Sequence, residues 1–175
     1  EACKNWMDVR SFGQVFAFSG KKKEEEKDAG GISVGVRGPV SIHPAFSVHP
    51  VTSSSIQITK SVNSETDEKN PDKKSSDTMG MKHRVDFGLY IVKGSVNVQL
   101  AGKTGFTEED AENLKEALRT LFVNDSSSAR PEGSMQVHTL YWWKHNCAIG
   151  QYSAAKVHDS VEIKLKDNIE EPASY

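Results

Sequence analysis

The sequence predicts an α+β fold in which one domain is built on an antiparallel sheet. The first half of the chain alternates apolar and polar residues over several short stretches, which is typical of strands with one buried face. A later stretch, TEEDAENLKEALRTLF, instead repeats its apolar residues at the spacing of a helix. The 175 residues, 36% hydrophobic and 26% charged, suit a single domain with a moderate core.

The N-terminal stretch predicts a short helix over residues 2–12. Ala2, Trp6 and Val9 recur loosely at helical spacing, and Gly13 then supplies a stop. Because the chain starts without Met and runs at once into helix-like sequence, we expect it to begin inside a larger protein. The following ISVGVRGPVSI predicts a strand that is bent or bulged where a Gly-Pro pair interrupts its alternation.

Extended sequence continues on both sides of a polar insertion. AFSVHPV and SSIQITKSV precede it, and RVDFGLYIVKGSVNVQL follows it with an alternation that runs through Val96, Val98 and Leu100. Residues 60–84 therefore form an insertion between two strands. A second polar block, KKKEEEKDAGG at residues 21–31, cannot bury apolar surface and predicts a solvated, dispensable loop.

The second half predicts a helix over residues 107–123 and then a strand. Thr107 is a candidate N-cap, and Asp110 completes a capping box with it. MQVHTLYWWKHN alternates like a strand, so Trp142 and Trp143 should face opposite sides. If a further strand preceded the first helix, the order would be β-α-β-β-α-β, the plan of ferredoxin-like and RNA-recognition domains.

Composition excludes several classes of protein. The formal net charge of −2 argues against nucleic-acid or membrane binding through bulk positive charge, so such binding needs a local patch. Cys3 and Cys147 lie far apart and belong to no C-x-x-C pair, which favours a reducing, cytoplasmic location over a disulfide framework or zinc ribbon. No apolar run approaches the roughly 18 residues of a spanning helix, so no membrane partner is expected.

Histidines raise a metal hypothesis that the sequence does not support further. His43 and His49 flank a short loop that contains a proline, among six histidines in all. No Cys, Asp or Glu accompanies them at ligand spacing, so we expect neither a metal nor another cofactor.

Several strings together resemble one known family. They are DVRSFG at residues 8–13, VRGPVSI at 36–42, ITKSV at 58–62 and TMGMKHRVDFGLY at 78–90, with TGFTEEDAENL and NDSSSARPEGSM around the predicted helix. These strings are similar to the crRNA-binding backbone subunit of type I-C CRISPR Cascade, a RAMP-type protein. The chain has no counterpart of the earlier strand and its Asn/Gly/Asp-rich loop that the family normally carries.

The resemblance implies a fold and a function. Such proteins are similar to a right hand, with an RNA-recognition-like (ferredoxin-like) palm and a thumb inserted between strands, here residues 60–84 within a single palm domain spanning residues 1–175. Several copies polymerise along one crRNA, alongside other Cascade subunits, and the target DNA strand pairs with the guide for antiviral defence. The thumb displaces a base at regular intervals, and no catalysis is expected.

The resemblance also implies a binding site within and beside the thumb. Met79 and Met81 would lie beside displaced bases, while Lys82 and Arg84 would pair with phosphates. His83 would add a hydrogen bond and Gly80 would let the backbone come close. From the residues alone, the alternative is an ordinary solvated strand end with methionines in the core.

Four further residues complete the candidate RNA site. Arg37, beside the Gly-Pro break, is either a phosphate ligand or a solvated edge arginine. Lys60 and Ser61 end the strand before the thumb and could anchor RNA there, or be a plain strand terminus. Arg10 belongs to the matched N-terminal helix, where an ion pair at the helix end is its alternative role.

Two other functions stay open on the sequence. Asp67, Asp72 and Asp77 lie in the insertion, and a thumb aspartate helps some CRISPR proteins to cleave RNA, although no second carboxylate is fixed beside them here. A generic RNA-recognition-like module for single-stranded RNA is the other alternative. It would predict stacked aromatic side chains on the sheet, but its K/R-G-F/Y-G/A-F motif is absent.

Overall fold

The computed structural model describes residues 1–18, 32–60, 66–67, 70–74 and 78–167. The predicted loop at 21–31 lies outside the described residues. The helices are α1 (Ala2–Asn5), α2 (Met7–Phe12), α3 (Val98–Thr104), α4 (Glu108–Arg119) and α5 (Ala154–His158). The strands are β1 (Gly13–Phe18), β2 (Ile32–Arg37), β3 (Val40–Ile42), β4 (Phe46–Ser47), β5 (Ser53–Lys60), β6 (Thr66–Asp67), β7 (Asn70–Lys74), β8 (Thr78–Val85), β9 (Tyr90–Ile91) and β10 (Gly94–Val96).

The chain divides into two compact units. The first comprises Glu1–His43 and Lys93–Val161, and the second comprises Pro44–Val92 and Glu162–Tyr175. Every sheet among the described residues is two-stranded and antiparallel, with β1–β2 and β3–β10 in the first unit and β4–β9, β5–β8 and β6–β7 in the second. A mixed α/β chain with small antiparallel sheets confirms the coarse prediction of an α+β fold.

The N-terminal helix is interrupted where the sequence predicted one continuous segment. Trp6 has extended backbone angles, φ −122° and ψ 120°, and separates α1 from α2. The predicted stop is confirmed, because α2 ends at Gly13 with φ +84°, a conformation that favours glycine. Strand β1 begins at the same glycine and was not predicted, since GQVFAF alternates too briefly to signal a strand.

The Gly-Pro break divides the predicted long strand between two sheets. β2 pairs with β1, with Gly13 opposite Arg37, and β3 pairs with β10, with Val40 opposite Val96. A Cβ added to Gly38 would lie 2.2 Å from the carbonyl oxygen of Ser11, and one added to Gly13 would lie 2.2 Å from the carbonyl oxygen of Val36. The two backbones therefore approach closely here, which only glycine permits.

The prediction that the strand alternation continues through Val98 and Leu100 is wrong. Both residues lie in α3, because the side chain of Asn97 accepts a hydrogen bond from the Leu100 N–H at 3.0 Å and so caps a helix. Gly105 in the left-handed conformation ends this helix. A local cap thus overrides an alternation that lasts only a few residues.

The predicted capped helix is confirmed as α4, with a shorter C-terminal end. The Thr107 side chain accepts from the Asp110 N–H, and the Asp110 carboxylate accepts from the Thr107 N–H. The helix ends at Arg119, with Thr120 as C-cap, instead of at residue 123. Leu114 is buried in the first unit, as are Val9 and Val40 from α2 and β3.

The strand predicted for MQVHTLYWWKHN is wrong, since residues 135–145 form no strand. Burial alternates over residues 139–143, where Leu140 and Trp142 are half-buried. The predicted faces do not extend further, because Val137 is half-buried and His138 is exposed. Among the described residues, the backbone groups of residues 139–145 make no hydrogen bond to another backbone group. A strand needs a paired neighbour, and no described strand lies alongside this segment.

Candidate nucleic-acid interface

The predicted insertion at residues 60–84 begins and ends in hairpin β5–β8, the longest pair of strands among the described residues of the second unit. β5 and β8 pair over eight residues, from Ser53 opposite Val85 to Lys60 opposite Thr78. β5 confirms the strand predicted before the polar insertion. Its partner β8 lies almost entirely within residues 60–84, and the long strand predicted from Arg84 onward is wrong, because only the end of β8 and the short strands β9 and β10 are extended there. Seven of the ten candidate RNA-binding residues, from Met79 to Arg84 together with Lys60, lie in this hairpin.

The register distributes these residues over two faces of the hairpin. Paired residues share a face and neighbours along a strand alternate between faces. Met79, Met81 and His83 therefore share one face, called here the thioether face, with the side chains of Ser55, Gln57 and Thr59. The opposite, cationic face carries Lys60, Lys82 and Arg84 with Ile56 and Ile58.

The thioether face is open and polar at its margins. The Gln57 amide donates a hydrogen bond to Met79 Sδ at 3.2 Å, and Ser55 Oγ lies 2.7 Å from His83 Nδ1. Both Met79 and Met81 are more than half exposed. The alternative in which the two methionines pack in the core is therefore wrong. Exposed, polarizable thioethers are suited to contact with an unstacked base.

The cationic face is also exposed, but one of its charges is partly neutralised. Arg84 Nε lies 2.8 Å from Asp86 Oδ1 and 3.3 Å from Ser54 Oγ, with the Arg84 and Asp86 side chains 58% and 62% exposed. An exposed ion pair of this kind is weak. Arg84 can therefore exchange Asp86 for a phosphate. Lys60 and Lys82 also make contacts in the structure, and both are exposed.

Gly80 has no structural requirement within the hairpin. A Cβ at this position would meet Ile58 Cγ1 at 3.6 Å, which is an ordinary van der Waals distance. Its expected close approach to RNA stays a prediction. Ser61, the other candidate beside the predicted insertion, lies outside the described residues.

Arg10 takes the ion-pair alternative. Its Nε and Nη2 bind the two carboxylate oxygens of Asp110 at 2.8 and 2.6 Å, and its Nη1 donates to the Cys3 carbonyl oxygen at 2.7 Å. The Arg10 and Asp110 side chains are only 18% and 5% exposed. Arg10 thus links α1, α2 and α4 within the first unit.

The electrostatics of this pair follow from its hydrogen bonds. The guanidinium of Arg10, together with two hydrogen bonds from Thr107, lowers the pKa of Asp110 to about 2, against the opposing effect of burial. The same bond to Asp110 raises the pKa of Arg10. Both side chains stay charged at neutral pH, which favours a structural role for Arg10.

Arg37 lies at the end of β2 and is exposed. The described residues provide no ion pair for its guanidinium, so its five donors remain available for an anion. Either of its predicted roles, phosphate ligand or solvated edge arginine, is compatible with this position.

The described part of the chain contains no cluster of side chains that could bind a metal ion for nuclease chemistry. There, no three His, Cys, Asp or Glu side chains come together as metal ligands. Asp67 and Asp72 lie in β6 and β7, and Asp77 lies outside the described residues. His43 contacts His158 ring to edge, with centroids 6.3 Å apart.

No helix among the described residues is long and apolar enough to cross a membrane.

The sequence analysis did not identify the carboxylates that pair with Arg84 and Arg10. Asp86 directly follows β8 and is only two positions from Arg84, so an acidic and a basic side chain lie within reach of each other and the pair could have been predicted. Asp110 is a hundred positions from Arg10 and was assigned only as part of a capping box. No local sequence signal connects those two residues.

A family model described as CRISPR-associated protein Cas7 matches residues 1–175, the whole chain. No curated protein matches the chain at a significant level.

Proposed function

The chain belongs to the CRISPR-associated Cas7 family, and from this premise we propose that it is a non-catalytic, guide-RNA-binding backbone subunit of a type I-C Cascade. The family implies association with crRNA and with other Cascade components. In this proposal several copies polymerise along one crRNA, and the target DNA strand pairs with the guide held between them. The first unit contributes an RNA-recognition-like palm, and hairpin β5–β8 belongs to the thumb.

The family match over the whole chain carries this proposal, and the hairpin supports it. Its two faces offer the two kinds of group that sequence-independent binding of single-stranded RNA requires. These are cations for phosphates and polarizable side chains for bases. The chain's net charge of −2 makes such a local concentration of cations necessary for RNA binding.

The division of the faces suggests how RNA is held. Phosphate ligands and base ligands alternate along β8, so one nucleotide can contact both only by straddling that strand. The outer edge of β8 is unpaired among the described strands, which leaves room for this arrangement. A strand inserted in this way between neighbouring nucleotides would displace one base from the stack. This is the action expected of the thumb.

The test uses the assembled complex and two double variants. Lys82→Ala with Arg84→Ala removes both proposed phosphate ligands from β8. Lys164→Ala with Lys166→Ala is the matched control, because it removes two exposed positive charges from the second unit outside the hairpin. Guide binding is measured over a range of salt concentrations for both variants and the unaltered protein.

We expect the hairpin variant to reduce the salt slope by about 1.4, since each phosphate contact to a single strand contributes about 0.7. The loss of affinity should be the same for RNAs of different sequence. The control should retain the original slope. An unchanged slope in the hairpin variant would exclude both residues as phosphate ligands.

The non-catalytic part of the proposal has a separate test. The complex is incubated with and without magnesium, and the length of its bound RNA is then read by sequencing. We expect intact, repeat-derived RNA in both conditions. RNA shortened only with magnesium would favour the thumb-aspartate ribonuclease, and Asp67, Asp72 and Asp77 would then be replaced one at a time.

A further inference from the structure

Two aromatic side chains form an exposed stack in the first unit, which does not contain hairpin β5–β8. The rings of Tyr141 and Trp143 have centroids 5.9 Å apart and planes inclined by 21°. Tyr141 is 54% exposed and Trp143 is 43% exposed. A nearly parallel, open pair of this kind presents flat π surface to solvent, at an energetic cost unless something covers it.

The opposite side of the same segment is occupied by helix α4. Trp142 is half-buried and lies under the ammonium group of Lys115, 6.0 Å from the ring centroid. Lys144 Nζ binds Glu108 Oε1 at 2.5 Å, and this bond raises the pKa of Lys144. Because extended residues alternate sides, Tyr141 and Trp143 face away from α4 and its acidic side chains.

The charge around the stack favours an anionic, π-bearing ligand over a protein. Residues 133–158 contain no Asp or Glu, whereas they include Lys144, Lys156 and three histidines. The charge of Lys144 is offset by Glu108 on the α4 side of the segment, so what favours an anionic ligand is the absence of acidic residues from this stretch of the chain. Thr139, the preceding residue on the same side of the segment, is polar, unlike the apolar centre of a protein interface.

We propose that Tyr141 and Trp143 form a base-stacking platform for single-stranded RNA on the first unit, in addition to hairpin β5–β8. This inference rests on the proposed guide-binding function and adds a second contact point to it. Stacking on aromatic faces is independent of base identity, as a backbone subunit requires. The alternation that puts both rings on the side away from α4 creates the platform.

The experiment measures binding of a short polyuridine RNA and of the natural guide to the assembled complex. Tyr141→Ala with Trp143→Ala removes the platform, and Tyr141→Phe with Trp143→Phe retains two rings. Trp6→Ala is the control, because Trp6 is an exposed aromatic residue of the same unit that makes no ring stack among the described residues. Affinity and salt slope are recorded for each variant, together with the number of copies per complex.

We expect the Ala variant to lose about tenfold in affinity with an unchanged salt slope, since stacking is lost but no phosphate contact is. The Phe variant should recover most of the affinity, and the Trp6 control should bind normally. Normal binding by the Ala variant would overturn the platform while leaving the proposed function intact if the Lys82 and Arg84 variant is still impaired. Fewer copies per complex, with unchanged RNA per copy, would identify the stack as a protein contact instead. Absence of RNA from the unaltered complex would overturn both proposals.

Discussion

Arg10 in the first unit and Arg84 in the second were both predicted to bind RNA, and the structure places them in contrasting surroundings. Arg10 is largely buried and makes two short bonds to a buried carboxylate. Arg84 is exposed and makes one bond to an exposed carboxylate. The contrast shows that burial of the partner, more than the arginine itself, decides whether the guanidinium is committed to the fold or available to a ligand.

The largest effect should come from removing the buried carboxylate. Asp110→Ala leaves the Arg10 guanidinium without its partner and also removes half of the Thr107 capping box, so we expect a loss of about 3 kcal/mol in the free energy of unfolding. Urea unfolding followed by helical circular dichroism measures this loss. Glu116→Ala, which breaks the exposed pair with Arg119, should change stability very little. Equal effects of the two substitutions would remove the distinction between buried and exposed pairs.

A pH titration tests the same carboxylate without altering the fold at neutral pH. The pKa of Asp110 falls from an ordinary 3.8 to about 2 in the folded state, so its contribution is present above pH 4 and is lost as the pH falls toward 2. The contribution amounts to about 2 kcal/mol. Asp110→Asn should therefore show a shallower decline in urea midpoint between pH 4 and pH 2 than the unaltered protein. Parallel declines would contradict the assigned ion pair.

Replacing each arginine by lysine sharpens the comparison further. Lysine cannot form the bidentate pair of hydrogen bonds that Arg10 makes with the Asp110 carboxylate, so Arg10→Lys should lower the urea midpoint. Arg84→Lys keeps the positive charge at an exposed site and should leave stability unchanged and the salt slope of guide binding nearly so. A stability loss at position 84 would show that the exposed pair is part of the fold.

The smallest effect is expected when Arg84 is released from its neighbour. Asp86→Asn removes the competing carboxylate, and guide affinity should increase by about two- to fivefold, which corresponds to the energy of an exposed pair. Asp125→Asn is a matched control, since Asp125 is engaged by Arg130 in the other unit. Weaker guide binding after Asp86→Asn would mean that Asp86 positions Arg84 for RNA instead of competing with it.

Features with short-range causes were predictable from the sequence. The capping box of Thr107 and Asp110 located the start of α4, and the Gly-Pro pair located the break between β2 and β3. The helix after Asn97 could also have been predicted, because an Asn cap and a closing glycine are both visible in NVQLAGKTG. The few alternating residues before this cap do not outweigh it.

Features that depend on distant partners were not predictable. The segment containing Tyr141 has the composition and alternation of a strand, yet only an adjacent strand would make it one. The bond between Arg10 and Asp110 likewise joins residues a hundred positions apart. The two faces of hairpin β5–β8 form an intermediate case, since Met81 and Lys82 are consecutive and simple strand parity separates them.

The close approach of Gly13 and Gly38 constrains evolution and engineering in a way opposite to that of an active-site residue. At these two positions even a Cβ atom would clash with the facing backbone. Every other residue has a Cβ, so a replacement that is chemically similar to glycine is not better tolerated than any other. In a saturation library scored for folding, both positions should reject all alternatives, alanine included. Gly102, in α3 with open space around its Cβ position, should accept most of them. A glycine-by-glycine profile of tolerance would thus locate the joint between α2 and β3 without any structural measurement.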